Sequence, residues 1–145
     1  MKLKFIFLGK KKPAFDFLMN RYLDRIKNYT TSECFFFNEK TDEKLEKRLK
    51  RFLKKQDYLV LLDEKGLRLS TEKYAVFLNS KINQFSTIVF LVGSAYGFPT
   101  SIKTKVNFSL SLSKMIFPHL ITRVLLLEQT YRALTILHNH PYHHE

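Results

Sequence analysis

The stretch STIVFLVG, residues 86–93, is the most continuously apolar run of the chain and decides its fold class. A strand with one face in water alternates apolar and polar side chains. Residues 88–92 are instead apolar without interruption. A strand of this kind is buried on both faces and lies in the middle of a parallel sheet covered by helices. We therefore predict an α/β fold built around this strand.

Shorter apolar runs and amphipathic segments alternate on both sides of that strand. The apolar patterns predict strands over residues 2–8, 34–37 and 58–62, the last ending in the turn DEKG, and a short alternating segment within residues 107–117. Helical spacing predicts one helix after Pro13, two capped by Thr41 and Ser70, and a long one from Pro118 to about residue 137. The first three have the predicted buried stripes Phe15, Leu18, Met19, Tyr22 and Ile26; Leu45, Leu49, Phe52 and Leu53; and Tyr74, Phe77, Leu78 and Ile82. Ligands of such sheets bind beyond the carboxyl ends of the strands.

The length and composition indicate one globular domain over residues 1–145. The long apolar runs are too short for a bilayer or contain His119 and Arg123, so we expect no membrane-spanning helix. The apolar part of the amino terminus is also shorter than that of a signal peptide, and a cytoplasmic location is expected. Cys34 is the only cysteine, which excludes an intrachain disulfide and a cysteine-based zinc site.

The net charge of +12 favours a polyanionic partner. RNA or DNA comes before an anionic membrane surface because no long amphipathic anchor is present. Two segments concentrate the charge: the loop GKKKP, residues 9–13, and residues 44–55, which hold seven basic residues and one acidic residue. The alternatives are a merely basic soluble protein and, for residues 44–55, a solvated helix face.

Two glycines, Gly93 and Gly97, stand where the central strand gives way to a loop. Glycine there lets backbone amides approach a ligand closely, but the signal is weak and a plain tight turn is the preferred interpretation of the pair. The spacing does not match a Rossmann dinucleotide site. The usual sequence markers of hydrolases and NTPases, HExxH, a Ser-His-Asp order and the P-loop, are missing from the sequence.

The chain ends in HNHPYHHE, residues 138–145, which contains four of its five histidines. A metal site, a purification tag and part of an active site are the three interpretations. Imidazole suits zinc and nickel. However, adjacent histidines point apart in an extended chain, Pro141 restrains the backbone, and a tag would be a longer uninterrupted run. We therefore predict no metal site. On the preceding helix, Glu128 and Arg132 form an i,i+4 pair that a structural salt bridge would explain.

The segment SLSLSKMIFPHLITRVLLLEQTYRALTILHNHPYHHE, residues 109–145, closely resembles the carboxyl-terminal region of the RlmH family of the SPOUT superfamily. MKLKFIFLGK, LLDEKGLRLSTE and FLVGSAYGF resemble further segments of that family, so the likeness covers the whole chain. It implies a methyltransferase that uses S-adenosylmethionine to methylate N3 of a pseudouridine in bacterial 23S rRNA. It further implies a parallel-sheet fold with a deep carboxyl-terminal trefoil knot, and a homodimer. A dimer agrees with a final helix that is apolar around more than one face.

The resemblance also implies which residues hold S-adenosylmethionine. Carried over position by position, they are Leu62, Gly93, Leu112, Ser113, Lys114, Met115, Ile116 and Phe117. An apolar slot with backbone donors and acceptors suits an adenine. One position departs from the family pattern, because Ser94 stands where the family usually has a second glycine. Its side chain is expected either to add a hydroxyl contact or to crowd the cofactor.

For the reaction, we expect a base or a cation to assist the weakly acidic N3–H of pseudouridine. Our hypothesis is that the tail brings His143 or His144, with Tyr142, over the cofactor's methyl group. Arg123 or Arg132 would then compensate negative charge on the base or a phosphate. His119 is the alternative base, or a structural histidine after the cofactor loop. Rival functions are a SPOUT enzyme acting on tRNA and a non-catalytic protein that binds the ribosome.

Overall fold

A computed structural model describes residues 2–144 and contains one five-stranded sheet. The strands are β1 (Lys2–Leu8), β2 (Thr31–Phe37), β3 (Tyr58–Arg68), β4 (Thr87–Val92) and β5 (Phe108–Ser111). The helices are α1 (Pro13–Ile26), α2 (Asp42–Phe52), α3 (Thr71–Gln84), α4 (Thr100–Lys103) and α5 (His119–Leu137). The strands lie in the order β2-β1-β4-β3-β5, and each neighbouring pair is parallel.

The central strand is β4, as its apolar run predicts. It pairs with β1 on one side and β3 on the other, and Ile88 through Leu91 have no exposed surface. Phe90 lies opposite Phe5 of β1, and their rings stack with centroids 5.1 Å apart. The α/β fold class with a parallel sheet is therefore confirmed.

Alternation along β1 assigns its side chains to two apolar layers. Leu3, Phe5 and Phe7 belong to the core that α1, α3 and α5 cover. Ile6 and Leu8 belong to the core on the other face, beneath α2 and α4. Helices on both faces leave the carboxyl ends of β3, β4 and β5 together at one edge of the sheet, and this edge is where such folds bind ligands.

Helix α1 differs in one position from its predicted stripe. Leu18 is 38 % exposed, whereas Leu23 is buried. Met19, Leu23 and Ile26 form the i, i+4, i+7 row that faces the sheet, and Leu18 lies one residue outside that row. The predicted caps of α2 and α3 are confirmed, because the hydroxyls of Thr41 and Ser70 accept hydrogen bonds from the amides of Lys44 and Lys73.

Strand β3 does not end at the predicted turn DEKG. It continues to Arg68, with an irregularity in its pairing to β5 between Leu62 and Leu67. The Asp63 carboxylate accepts a hydrogen bond from the Lys65 amide within this irregularity. Gly66 follows, and a Cβ at that position would lie 2.5 Å from the Ser109 carbonyl oxygen. The segment that looks like a turn is therefore a bulge that keeps β3 beside β5.

The long helix α5 is apolar on several faces. Leu126, Leu127, Ala133 and Leu134 are buried in the core, whereas Ile121 is 39 % exposed. No helix within residues 2–144 combines the length and apolar character needed to cross a membrane. The trefoil knot stays a prediction.

Candidate functional site

A cavity of about 270 Å³ lies at the carboxyl ends of β3, β4 and β5. Most of the residues predicted to hold a cofactor line it: Leu62, Gly93, Leu112, Ser113, Met115 and Phe117. Lys114 and Ile116 do not line it, and both are exposed. The fold thus brings three separate segments together at the edge of the sheet where ligands are expected.

The loop 112–117 is shaped by serine side chains. The Ser111 hydroxyl donates to the Ser113 carbonyl at 2.9 Å, and the Ser113 hydroxyl accepts from the Met115 amide at 3.0 Å. These bonds hold Met115 and Ile116 with 74 % and 76 % of their surface exposed. Exposed apolar side chains that lie together are typical of surfaces that bind a ligand or another chain.

Gly93 and Gly97 lie against each other in the loop after β4. A Cβ on Gly93 would lie 3.1 Å from the Gly97 Cα, and Gly97 has a φ of 74°, which favours glycine. The Ser94 hydroxyl accepts from the Tyr96 amide at 3.3 Å, and the Ser94 carbonyl accepts from the Gly97 amide. The hydroxyl at the position of the family's second glycine therefore stabilises the turn of its own loop.

Charged groups that the sequence reasoning missed also line the cavity. Asp63 and Glu64 lie on one side, and Lys103 of α4 lies on another. The two signs of charge suit a ligand that carries both. Asp63 directly follows the predicted strand 58–62, so its place at a carboxyl end offered a usable signal. Lys103 offered none, because a helix of four residues has no readable period.

His119 is the one catalytic candidate that lines the cavity. It is half-buried and is the first residue of α5. Burial lowers the pKa of its imidazole, and the positive charges of Arg123 and Lys12 lower it further. The ring is therefore neutral at physiological pH and available to accept a proton.

Arg123 is held by the backbone at the end of β1. Only 1 % of the residue is exposed, and its guanidinium donates to the Leu8 carbonyl at 2.9 Å and the Lys10 carbonyl at 3.0 Å. The rings of Phe7 and Phe36 lie against it at about 5.5 Å. Burial lowers its pKa. The role of Arg123 in compensating charge on the substrate stays a prediction, and in this arrangement its two terminal nitrogens donate to backbone carbonyls.

The other candidate cation, Arg132, belongs to a network with the tail. Its Nε and Nη2 lie 2.8 and 2.6 Å from Glu128 Oε1, and the Tyr142 hydroxyl donates to the same oxygen at 3.1 Å. Hydrogen bonding to Glu128 raises the pKa of Arg132. Burial first, and then the charge of Glu128, raise the pKa of Tyr142 to about 12. Tyr142 is therefore a hydrogen-bond donor and not a base at neutral pH.

His143 lies between a donor and an acceptor. Its Nδ1 is 3.1 Å from Arg132 Nη1, and its Nε2 is 3.0 Å from Glu72 Oε1. A guanidinium can only donate and a carboxylate can only accept, so Nδ1 is the acceptor and Nε2 carries the proton. These partners occupy both ring nitrogens.

The four tail histidines do not converge on one point. His138 Nδ1 contacts the Leu134 carbonyl, His140 Nδ1 accepts from the Tyr142 amide, and His144 is exposed. Within residues 2–144, no group of three or more histidine, cysteine, aspartate or glutamate side chains is arranged to hold a metal ion. Glu145, the last residue of the tail motif, lies outside the described residues.

The cavity and the tail contact α5 at different positions along the helix axis. His119 begins the helix at the cavity, whereas Glu128 and Arg132 hold the tail nine and thirteen residues later. At a rise of about 1.5 Å per residue these anchors are about 14 and 20 Å along the axis. None of residues 138–144 lines the cavity. One chain, as described, does not bring His143 to the predicted cofactor site.

Comparisons with known proteins match the chain over its length. A family model described as "Predicted SPOUT methyltransferase" matches residues 1–143. Curated proteins named "Ribosomal RNA large subunit methyltransferase H" are similar: that of Parabacteroides distasonis is 35 % identical with 100 % of both chains covered. Those of Malacoplasma penetrans and Geobacter metallireducens are 38 % and 37 % identical with 99 % of each chain covered. A crystal structure of a candidate RNA methyltransferase from Bacillus anthracis shares the fold, with a TM-score of 0.53, 15 % identity and coverage of 97 % of this chain and 96 % of that chain.

Proposed function

Because this chain belongs to the SPOUT methyltransferase family, we propose that it transfers a methyl group from S-adenosylmethionine to ribosomal RNA of the large subunit. The proposed target is N3 of a pseudouridine in 23S rRNA. One observation carries the proposal: six of the eight residues expected to hold the cofactor line a single cavity at the carboxyl edge of the sheet. The full-length similarity to the curated large-subunit methyltransferases supports the RNA class.

The residues around the cavity fit S-adenosylmethionine, which when bound supplies a methyl group activated by a sulfonium. Leu62, Leu112 and Phe117 offer apolar surface for the adenine. The carboxylates of Asp63 and Glu64 suit its two positive groups, and Lys103 suits its carboxylate. Gly93 and Gly97 leave room for backbone groups to approach the ligand.

We propose that His119 accepts the N3 proton of the target base. It lines the cavity, and its lowered pKa keeps it neutral at physiological pH. A base within hydrogen-bond reach of the proton that it removes contributes about 10²- to 10⁴-fold to a rate. His143 is the less favourable acceptor in the described arrangement, because Arg132 occupies its free ring nitrogen. The tail then serves to hold the target nucleotide.

We further propose a homodimer in which the tail of one protomer closes the cavity of the other. The first support is the separation of tail and cavity along α5 within one chain. The second is exposed apolar surface near the beginnings of two adjacent helices. Phe17 and Leu18 of α1 are 79 % and 38 % exposed, and Ile121 of α5 is 39 % exposed. A second copy covering these side chains would bury them.

The test of the function uses the purified protein with S-adenosylmethionine. Isothermal titration should detect cofactor binding, and a labelled methyl group should appear in 23S rRNA of unmethylated ribosomes or large subunits. Transfer to tRNA alone would favour the SPOUT enzyme of tRNA. Failure to bind the cofactor would favour a protein that binds the ribosome without catalysis. Either of these two results would overturn the proposal.

A further inference from the structure

A second cleft lies at the opposite end of the sheet from the cofactor cavity. Its volume is about 510 Å³, and the residues that carry its charge and polarity are Lys50, Lys54, Lys55, Asp57, Lys105 and Asn107. We propose that this amino-end cleft binds phosphates of the RNA backbone. The proposal rests on the proposed function insofar as the natural polyanion is ribosomal RNA.

The cleft and the cavity share β3 but use different ends of it. Leu59 lines the cleft, and Leu62, three residues later in β3, lines the cavity. At about 3.3 Å per residue, these points are about 10 Å apart along the strand. Helix α4 lies between the two sites, since Ile102 lines the cleft and Lys103 lines the cavity. An RNA strand that crosses α4 could therefore contact both.

The walls of the cleft are tied to the start of β3. The Asp57 carboxylate accepts from the Lys54 amide at 2.9 Å, and the Asp57 amide donates back to the Lys54 carbonyl at 3.1 Å. Across the cleft, the Asn107 carboxamide oxygen accepts from the Leu59 amide at 2.7 Å, and the Asn107 amide donates to the Leu59 carbonyl at 2.9 Å. The Asn107 side-chain nitrogen is then the group left to donate to an anion. The cleft is preorganised before a ligand binds.

Among the residues that the structure describes, three of the four lysines that line the cleft form no salt bridge, whereas Lys50 pairs with Glu46. Lys47, Arg48 and Lys50 have carboxylate partners in Glu43, Glu39 and Glu46. By contrast, no carboxylate within residues 2–144 forms a salt bridge to Lys54, Lys55 or Lys105. Among residues 2–144, Asp57 is the one acidic residue in the lining, and it is buried.

Helix stability alone does not explain this arrangement. Lysines in the last turn of α2 and just after it complement the negative end of its dipole, which accounts for Lys50 and Lys54. It does not account for Lys105, which comes from the segment after α4. Lys105 and Lys50 both lower the pKa of Glu46, after the larger effect of the Ser101 hydroxyl, which indicates that these two segments meet. Glu46 offsets only one of these two charges, and phosphates would neutralise the net positive charge that remains.

The test measures binding of a labelled single-stranded oligouridylate of about 12 nucleotides, a length that one protein groove tracks. The cleft variant is Lys54→Glu with Lys105→Glu. The matched control is Lys40→Glu with Lys44→Glu, which makes the same charge change at exposed positions outside the cleft. We expect the cleft variant to lose about 10-fold or more in affinity at low salt and the control to lose less than about 3-fold. The slope of log K against log salt should shrink by about 1.4 in the cleft variant, for two lost phosphates.

Equal losses in both variants would show a net-charge effect and overturn the proposal. The neutral pair Lys54→Gln with Lys105→Gln provides the same comparison if charge reversal impairs folding. Inorganic phosphate is then added to the complex of protein and oligouridylate. Chloride at the same ionic strength is the control. If phosphate displaces the RNA completely, the cleft belongs to a small phosphate ligand and the proposal is wrong. Titration of each variant with S-adenosylmethionine separates this outcome from failure of the methyltransferase function, because the cleft lies outside the cofactor cavity.

Discussion

Arg132 holds His143 through a contact of 3.1 Å between its Nη1 and the imidazole Nδ1. The ring nitrogen that could take a proton is therefore engaged by a cation, and Glu72 accepts from the other ring nitrogen. The tail is docked on its own α5 and α3 in this arrangement. We propose that the tail acts in the reaction on the cavity of a second protomer.

Removing residues 141–145 tests whether the tail is needed for methyl transfer. We expect transfer to ribosomes to be abolished, because Tyr142 and His143 no longer hold the target nucleotide. Cofactor affinity should stay nearly unchanged, since none of residues 141–144 lines the cavity. Single-turnover methylation and isothermal titration measure the two quantities. Normal turnover by the shortened protein would disprove a role for the tail.

Mixed dimers test whether the tail acts between protomers. The shortened chain keeps its cavity, and a Gly93→Val chain keeps its tail but crowds the loop at Gly97. Each should be inactive alone. Co-expressed in equal amounts they should recover about a quarter of the wild-type rate, because half of the dimers then have one complete site. A mixture as inactive as its two parents would show that each tail serves its own cavity.

If His119 is the base, its pKa should set the acid limb of the pH profile of the methyl-transfer rate. The neutral ring is the form that accepts a proton, and it persists above its pKa. Because burial and the charges of Arg123 and Lys12 lower that pKa, the rate should fall only on the acid side of the usual histidine value. His119→Gln should reduce the rate about 10²-fold or more and remove this limb. His138→Gln, at a ring that contacts Tyr29 instead of the cavity, is the control. An unchanged profile in His119→Gln would assign the proton to another group.

Arg123 should prove to be a structural residue. Arg123→Met leaves the Leu8 and Lys10 carbonyls without their donor, which should lower the free energy of unfolding by about 2–3 kcal/mol. Urea denaturation measures this loss. The folded fraction should keep its cofactor affinity within about 3-fold. Full stability combined with a large loss of rate would instead return Arg123 to the catalytic candidates.

The sequence predicts the fold correctly where the apolar pattern is local and strong. The uninterrupted apolar run of residues 88–92 predicts the central strand, because only a strand buried on both faces has that pattern. Two features depend on contacts that such patterns do not contain. DEKG looks like a turn, but Gly66 allows β3 to pass close to β5. Helix α4 has four residues, too few for a period to be recognised.

The candidate site could be predicted from the sequence only in part, and the prediction had a different basis. The cofactor residues came from a resemblance and not from spacing, and the fold brings six of them to one cavity. Reasoning from the sequence missed Lys103 and also Glu72, which meets His143 across 71 positions of the chain. It also could not distinguish Arg123 from Arg132. Both lie on the same helix, and only the packing shows that one is buried beneath the loop after β1 while the other holds the tail.

The central claim is methylation of a pseudouridine in 23S rRNA, and mass-spectrometric mapping of that RNA tests it most directly. The RNA is taken from cells with and without this protein. We predict that one pseudouridine carries an N3 methyl group only when the protein is present, and that the wild-type chain restores the modification. The same methylated nucleotide in cells that lack the protein, or a loss of methylation confined to tRNA, would contradict the account.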